Sequence, residues 1–592
     1  MLTAQTYLEL VKKRSEKGLE LERVYHNLRN PDLFLMAYGK LYANKGAMTS
    51  GTDTNDAIDG MSMERIEKII QSLDKGTFRW KPTKRIYIPK ANGKLRPLGI
   101  PSWTDKLVQE AMRLILEAYY EPKFSIHSHG FRPNKGCHTA LQAIVKTGKG
   151  TTWFIEGDIK GCFDNIDHEI ILEIIGRNIK DAKFLKLLRE MLKAGYMEDW
   201  KYQDTQSGTP QGGVISPLLS NIVLNELDKF VENEFLPQYN RGDRKAENPE
   251  YQKIKKQAYM ARKKGQIELA EELGKVQRTI NSKVPTPEFR RLSYVRYADD
   301  FILCLIGTKA EAQEIKERLR DFLAIIKLTM SEEKTLITHA SSENARFLGY
   351  NLRVTWENSQ RTNTRRAING TVTLRIPREV IDKWKQKYQE KGKITHNPKL
   401  LADSDYDIIS RYNSELLGLV NYYTMAINVS GLSGVKWVME TSLVKTLANK
   451  HRQPITWVYQ KYKTKSPEGV TCLQVQIDRE GKKPLIARFG GKPINYQKLA
   501  NIVETTPQIL TSRTQLVERL LADECELCGS TTNVEVHHIK SIKELIQKYR
   551  KRGTEMPWWI KRMAEMYRKT LVVCAKCHDQ IHAGTYDGRK LT

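Results

Sequence analysis

The chain has 592 residues, with 97 Lys and Arg against 69 Asp and Glu and a formal net charge of +28. Hydrophobic residues make up 40%, and Gly (37) and Pro (21) are ordinary in number, which excludes wholesale disorder and collagen-like or linker-dominated chains. A mean hydropathy of −0.54 argues against an integral membrane protein. At roughly 100–200 residues per domain, three to five domains are expected. A pI near 9.5 points to a polyanionic partner, nucleic acid ahead of a membrane surface. The basic residues are spread through folded-looking sequence, as in grooves that track a phosphate backbone.

In chain order, LTAQTYLELVKKRSEKGLELERV and MERIEKIIQSL predict helices within residues 1–80, separated by a polar Gly- and Asp-containing loop from Gly46 to Gly60. KRIYIPK and LRPLGIP flank Ala91-Asn92-Gly93-Lys94, and the Asn-Gly pair predicts a hairpin. A helix is expected from about Lys106 to Tyr120. Residues 151–167, TTWFIEGDIKGCFDNID, begin as a buried strand and end polar. SYVRYADDFILCLIG, residues 293–307, reads as strand–turn–strand, and 309–326 as a helix. Residues 241–291 form a charged insertion with 14 basic and 7 acidic residues. From about residue 377 the pattern is mostly helical and basic. Leu416 to Val435 lacks charges but contains Asn, Ser and Gly, so it reads as a buried helix and loop rather than a membrane span. The opening MLTAQTYLELVKKRSEKG has no apolar secretory core, and a soluble intracellular protein is expected.

Two groups of residues carry chemistry. Asp299 and Asp300, in YADD, sit at the tip of a strongly apolar hairpin, where adjacent carboxylates are costly unless they bind cations. Alone, such a pair is more often an acidic turn. Asp158 ends a second apolar strand, WFIEGD, so three carboxylates can gather around one point. That arrangement holds two magnesium ions about 3.5–4 Å apart for in-line phosphoryl transfer. At the other end of the chain, Cys525-x-x-Cys528 and Cys574-x-x-Cys577 offer four thiolates to one tetrahedral zinc. Between the pairs lie His537 and His538. His578 and His582 follow at i and i+4, on one helix face, where they can share a metal. Cys137, Cys162, Cys304 and Cys472 are scattered singly and read as small buried hydrophobes in a reducing compartment.

KPTKRIYIPKANGKLRPLGIP, SHGFRPNKGCHTAL, FIEGDIKGCFDNIDH, SGTPQGGVISPLLSNIVLNELD, RYADD, TMSEEKT and FLGYNL follow one another along the chain. With them the sequence resembles, over nearly its whole length, the group II intron-encoded proteins, which are reverse transcriptase–maturases. The resemblance implies an α+β multidomain fold: a right-hand fingers and palm polymerase, a helical thumb or maturase domain, and a small zinc-stabilised HNH (ββα-metal) nuclease. The expected division is 1–80 for an N-terminal extension and start of the fingers, 81–375 for fingers and palm with the basic insertion 241–291, and 376–460 for the thumb. Residues 461–520 would be a DNA-binding segment and 521–592 the HNH domain with its four-cysteine zinc.

By resemblance, Asp158, Asp299 and Asp300 are the catalytic magnesium ligands. Phe163 would exclude a ribose 2′-hydroxyl, Lys90 and Arg96 would hold the triphosphate, Gln211 would line the nucleotide pocket, and Lys334 would stabilise the leaving pyrophosphate. His538 would be the nuclease general base, with His537, His578 and His582 around its divalent ion, expected to be Mg2+ as in the polymerase, and Cys525, Cys528, Cys574 and Cys577 would hold a structural Zn2+. The family's middle Asn falls near Lys569-Thr570 and is missing, which leaves the orientation of the base or one metal contact open. A purely structural treble-clef knuckle is the alternative for this block, but it has no use for adjacent His537 and His538.

The lysines, arginines, Trp384, Tyr388, Tyr412, Tyr422 and Tyr423 of the thumb helices suit an RNA grip, with a core role as the alternative, and the core role is favoured for Tyr422 and Tyr423. The implied partners are intron RNA, target DNA and dNTPs, with no membrane and a homodimer left open. The implied location is the bacterial cytoplasm at the nucleoid, with an organellar host left open. The rivals are a retron or defence-type reverse transcriptase and a splicing-only RNA-binding maturase. The long basic thumb and HNH tail count against the first, and the intact carboxylates against the second.

Overall fold

Apolar runs that alternate between two faces build a central sheet. The computed structural model describes residues 2–586 except 45, 90–92, 94, 199–200, 204–207, 209–211, 285, 358–360, 363–364, 367–368, 480–481, 501–513, 543, 547–548, 550–555 and 567. Four antiparallel strands lie in the order Arg291–Tyr297, Asp300–Ile306, Trp153–Asp158, Leu336–His339. Ile155, Phe301, Leu303 and Leu305 point to one face, where they join a core with the helices Trp103–Tyr120 and Ser216–Phe230. Phe154, Ile302 and Cys304 point to the other and pack with the helices Cys137–Thr147 and Asp405–Tyr422. Burial on both faces explains why these strands are nearly continuous in apolar residues.

A second sheet runs Leu95–Ile100, Thr83–Pro89, Tyr196–Glu198, Lys201–Gln203. Its first two strands are the hairpin expected from Asn-Gly, although most of the turn lies outside the described residues. The helix expected from Lys106 starts earlier, at Trp103, because the Asp56 carboxylate accepts the Thr104 N–H at 3.1 Å and favours the helix N-terminus. The first helix is shorter than expected. It spans Ala4–Glu16 and stops where Gly18 takes φ +70°. The insertion folds as two helices, Pro249–Lys263 and Ile267–Thr279.

The C-terminal half is less helical than its basic pattern predicted. After the helices Leu432–His451 and Ile455–Tyr462, a sheet forms from Lys463–Lys465, Thr471–Arg479 and Lys482–Phe489. Its Leu473, Ala487 and Phe489 complete the core around Asp405–Tyr422. Tyr388, Tyr412 and Tyr423 are buried there, and Trp384 and Tyr422 are partly buried against it, so for these rings the core reading holds. Leu416–Val435 is helix and loop, and among the described residues no helix is long and apolar enough to cross a membrane. Cys162, Cys304 and Cys472 are buried as expected, whereas Cys137 is only half-buried.

The tail is a hairpin, Val534–His538 and Thr570–Cys574, followed by the helix Ala575–Ala583. It docks on the N-terminal region. Val536 N–H donates to Met61 O at 2.9 Å and Gly60 N–H to Val536 O at 3.1 Å, so Met61 forms an isolated antiparallel bridge with Val536. Helix Gln515–Leu521 buries Leu516, Val517 and Leu520 in the same core as helix Pro31–Leu41.

Candidate active sites and zinc centre

Strand register brings three carboxylates to the end of the central sheet. Asp158 stands directly across from Asp300, and Tyr297 pairs with Asp300 across a two-residue turn, Ala298-Asp299. Ala298 adopts φ +54°, a left-handed conformation that costs an alanine roughly 1–2 kcal/mol. The turn is braced from below by Arg296, whose guanidinium is fully buried and donates to Ala298 O at 2.9 Å. The same guanidinium forks onto both oxygens of buried Asp228 at 2.7 and 2.6 Å and reaches Ser128 Oγ at 2.9 Å. Gly130 packs so closely that a Cβ there would lie 2.3 Å from Ala298 N.

Burial, then Asp299 and Asp158, raise Asp300 to about 7. Burial and Asp158 likewise raise Asp299, against the pull of Lys334 and Arg96. Crowded oxygen donors whose shared negative charge is costly suit a hard divalent cation. Lys334 is mostly exposed, with Nζ 2.8 Å from Asp158 Oδ2. Phe163 lies in the turn Cys162–Asn165, half-buried, edge-on to Phe131 with ring centroids 6.2 Å apart. Arg96 is exposed on the strand Leu95–Ile100, and its charge is felt at Asp299. Lys90 and Gln211 lie outside the described residues.

In the tail, Cys525, Cys528, Cys574 and Cys577 bring one sulfur each within 4.8 Å of the others. Cys528 Sγ and Cys574 Sγ are 3.7 Å apart, close to the edge of a tetrahedron built on Zn–S bonds of about 2.3 Å. The donors fit a closed, structural zinc. The knuckle is tied by Gly529 N–H to Cys525 O and Cys525 N–H to Ser530 O, each 2.8 Å.

A second cluster converges beside it, and it differs from the expected set by one residue. His537, His578 and His582 are joined by Asp59, each offering one donor atom within 4.8 Å of the rest. His578 Nε2 lies 2.9 Å from His537 Nδ1 and 3.1 Å from His582 Nε2, and His578 Nδ1 is held by Glu535 at 2.6 Å. A carboxylate behind a ligating imidazole fixes its orientation and basicity, so this nitrogen-rich set fits a divalent metal. Burial would lower His578, yet the carboxylates of Asp59 and Glu535 raise it to about 9, while burial brings His537 down to about 4. Asp59 is held well below the ordinary carboxylate range by His578 and His537 despite its burial. The sequence offered little to single it out: it is one of several acids in the polar, Gly- and Asp-containing loop from Gly46 to Gly60.

His538 is not in that cluster. Strand alternation turns it to the other face, where its Nε2 lies 2.8 Å from Tyr38 Oη. Burial holds it near 4, hence neutral at pH 7. It lines a cavity of about 570 Å³ with Lys84, Arg519, Lys540, Arg568 and Lys569. Thr570, the residue opposite His538 in the hairpin, stands in the region of the missing Asn, and the contact on the His538 ring comes instead from Tyr38.

Three family models match in succession: reverse transcriptase (RNA-dependent DNA polymerase) over residues 88–352, type II intron maturase over 377–508, and AI2M/AI1M-like HNH endonuclease over 525–578. The maturase match continues past 460 into the segment expected to contact DNA. The chain is 41% identical to the group II intron-encoded protein LtrA of Lactococcus lactis subsp. cremoris, over 98% of this chain and 99% of that protein. It is 34% identical to an uncharacterized 91 kDa protein in the cob intron of Schizosaccharomyces pombe, over 97% of this chain and 72% of that one. It is 32% identical to a putative COX1/OXI3 intron 1 protein of Saccharomyces cerevisiae, over 94% and 69%. With three carboxylates gathered at the tip of one sheet and thiolate and imidazole clusters in the tail, the chain belongs to the group II intron-encoded proteins, which join a reverse transcriptase, an intron maturase and an HNH endonuclease in one polypeptide.

Proposed function

We propose that the protein carries its intron into DNA by target-primed reverse transcription: the tail nicks one strand and the polymerase extends the new 3′ end on intron RNA. The central sheet serves as the palm, the hairpin Thr83–Ile100 as part of the fingers, and the helices of 376–460 as the thumb, acting at the DNA of a bacterial cytoplasm. The observation that carries this reading is Asp158 facing Asp300 across the sheet with Asp299 beside them. These three would hold Mg2+, which when bound supplies charge neutralisation at the attacking 3′-oxygen and the leaving pyrophosphate. Lys334, whose Nζ lies 2.8 Å from Asp158 Oδ2, would face the leaving group. Arg96 and Lys90 hold the triphosphate, Gln211 lines the nucleotide pocket, and Arg296 keeps the Ala298-Asp299 turn in place.

In the nuclease, the four cysteines would hold structural Zn2+ and His537, His578 and His582 a catalytic divalent ion, which supplies electrophilic stabilisation of the scissile phosphate. His538 is the base. It is neutral at pH 7, as a base must be, and lines the basic cavity rather than the imidazole cluster. The basic lining of its cavity receives the DNA phosphates.

A crossed experiment tests both assignments. Asp299→Asn should lower primer extension by on the order of 10³-fold or more while nicking persists. His538→Ala should lose nicking with zinc content and primer extension retained. Near-wild-type extension by the first variant refutes the polymerase assignment, and retained nicking by the second refutes the base.

A further inference from the structure

The acid at the end of the Gly46–Gly60 loop lies 523 residues from His582 in sequence, yet its Oδ2 is 2.8 Å from His582 Nε2. Its Oδ1 lies 3.3 Å from His578 Nε2 and 3.5 Å from His537 Nδ1. With the 2.9 and 3.1 Å separations among the imidazole nitrogens, these donor atoms lie close enough together to share one ion. The loop is fixed on both sides of the carboxylate. The His538 backbone N–H donates to Asp59 Oδ1 at 2.6 Å, and Gly60 N–H donates to Val536 O at 3.1 Å. An ion pair that merely docks the tail needs one cationic partner, whereas the two oxygens of Asp59 are divided among three imidazoles.

We propose that Asp59 is a ligand of the nuclease ion, so that the N-terminal part of the chain completes a metal centre whose other ligands lie in the tail. The proposal rests on the HNH reading of His537, His578 and His582. Three imidazoles and one carboxylate make a borderline donor set, suited to first-row divalent ions rather than to the magnesium that the resemblance implies. The ion and the docked arrangement then stabilise each other, and the nuclease is fully assembled only when its tail sits on the polymerase body.

The test titrates Co2+ into the full-length, zinc-retaining protein, read by calorimetry, by d–d absorption and by amide exchange over residues 56–61. Wild type should bind Co2+ at the imidazole cluster and slow exchange in that loop. Asp59→Asn, which keeps an oxygen to accept the His538 N–H, should weaken Co2+ binding at least tenfold and shift the d–d bands, with zinc content unchanged. Tyr38→Phe removes another hydrogen bond between the same two parts and should leave the affinity within about threefold. Equal weakening by both variants, or unchanged affinity in Asp59→Asn while His578→Ala abolishes binding, overturns the ligand assignment and leaves the nuclease centre standing. Co2+ binding that survives His578→Ala overturns the HNH reading itself.

Discussion

We propose that Phe163 decides which sugar enters the polymerase. The left-handed Gly161 (φ +56°) turns the chain after Ile159-Lys160, and Phe163 emerges half-buried beside the carboxylates' strand, edge-on to exposed Phe131. A ring of this kind rejects a 2′-hydroxyl by collision, so Phe163→Ala should admit ribonucleotides. Incorporation of dNTP and rNTP on one template measures it, and an unchanged ratio would make Phe163 a packing residue. At this scale the sequence was most legible where chemistry repeats at short spacing: the Cys-x-x-Cys pairs, the His578/His582 pair and the adjacent aspartates. Asp59, Tyr38 and Arg296 escaped because each acts through a partner distant in the chain, and an acid in a polar loop or a tyrosine in an apolar helix has no local signature.

The turn between Arg291–Tyr297 and Asp300–Ile306 shows how an element is held in a strained shape. Ala298 stays left-handed while buried Arg296 donates to its carbonyl and Asp228 neutralises the guanidinium. Removing one partner strands a buried charge, which costs about 3–5 kcal/mol, whereas replacing both with apolar residues of similar volume is often neutral. Asp228→Ala should therefore lower the unfolding midpoint sharply. Arg296→Met with Asp228→Leu should recover only part of that stability, because buried Tyr294 Oη loses Asp228 as its acceptor, and should not recover primer extension, because the turn no longer has its donor. Thermal unfolding and extension on the same samples check this, and full activity in the double variant would show that the turn needs no brace. Element boundaries were legible where a breaker stands in the sequence, as at Asn92-Gly93. The strand Thr471–Arg479 was missed although Leu473, Val475 and Ile477 alternate with polar residues, because the basic helical stretch before it masked the change of period.

Across the whole molecule, we propose that holding RNA and copying it are separable, since the net charge is +28 and the maturase match lies outside the reverse transcriptase match. The helices Pro249–Lys263 and Ile267–Thr279 meet along a thin seam whose buried residues are Ala258, Ala261, Ala270 and Gly274. That seam leaves Lys255, Lys256, Lys263, Lys264 and Tyr259 exposed, a combination of point charges and a stacking ring suited to RNA. Each single-strand phosphate neutralised contributes about −0.7 to the slope of log K against log salt. Replacing Lys255, Lys256, Lys263 and Lys264 with Ala should flatten that slope by about 0.7 for each phosphate left without its lysine and weaken binding most at low salt. Asp299→Asn, by contrast, leaves every one of these lysines in place and removes only a carboxylate at the sheet tip. It should bind intron RNA with the wild-type slope and support splicing at the wild-type level while failing to extend a primer. Filter binding across a salt series and a splicing assay on the same two proteins decide the matter. Loss of splicing in a folded Asp299→Asn protein would mean that the carboxylate site and the RNA grip are one device rather than two.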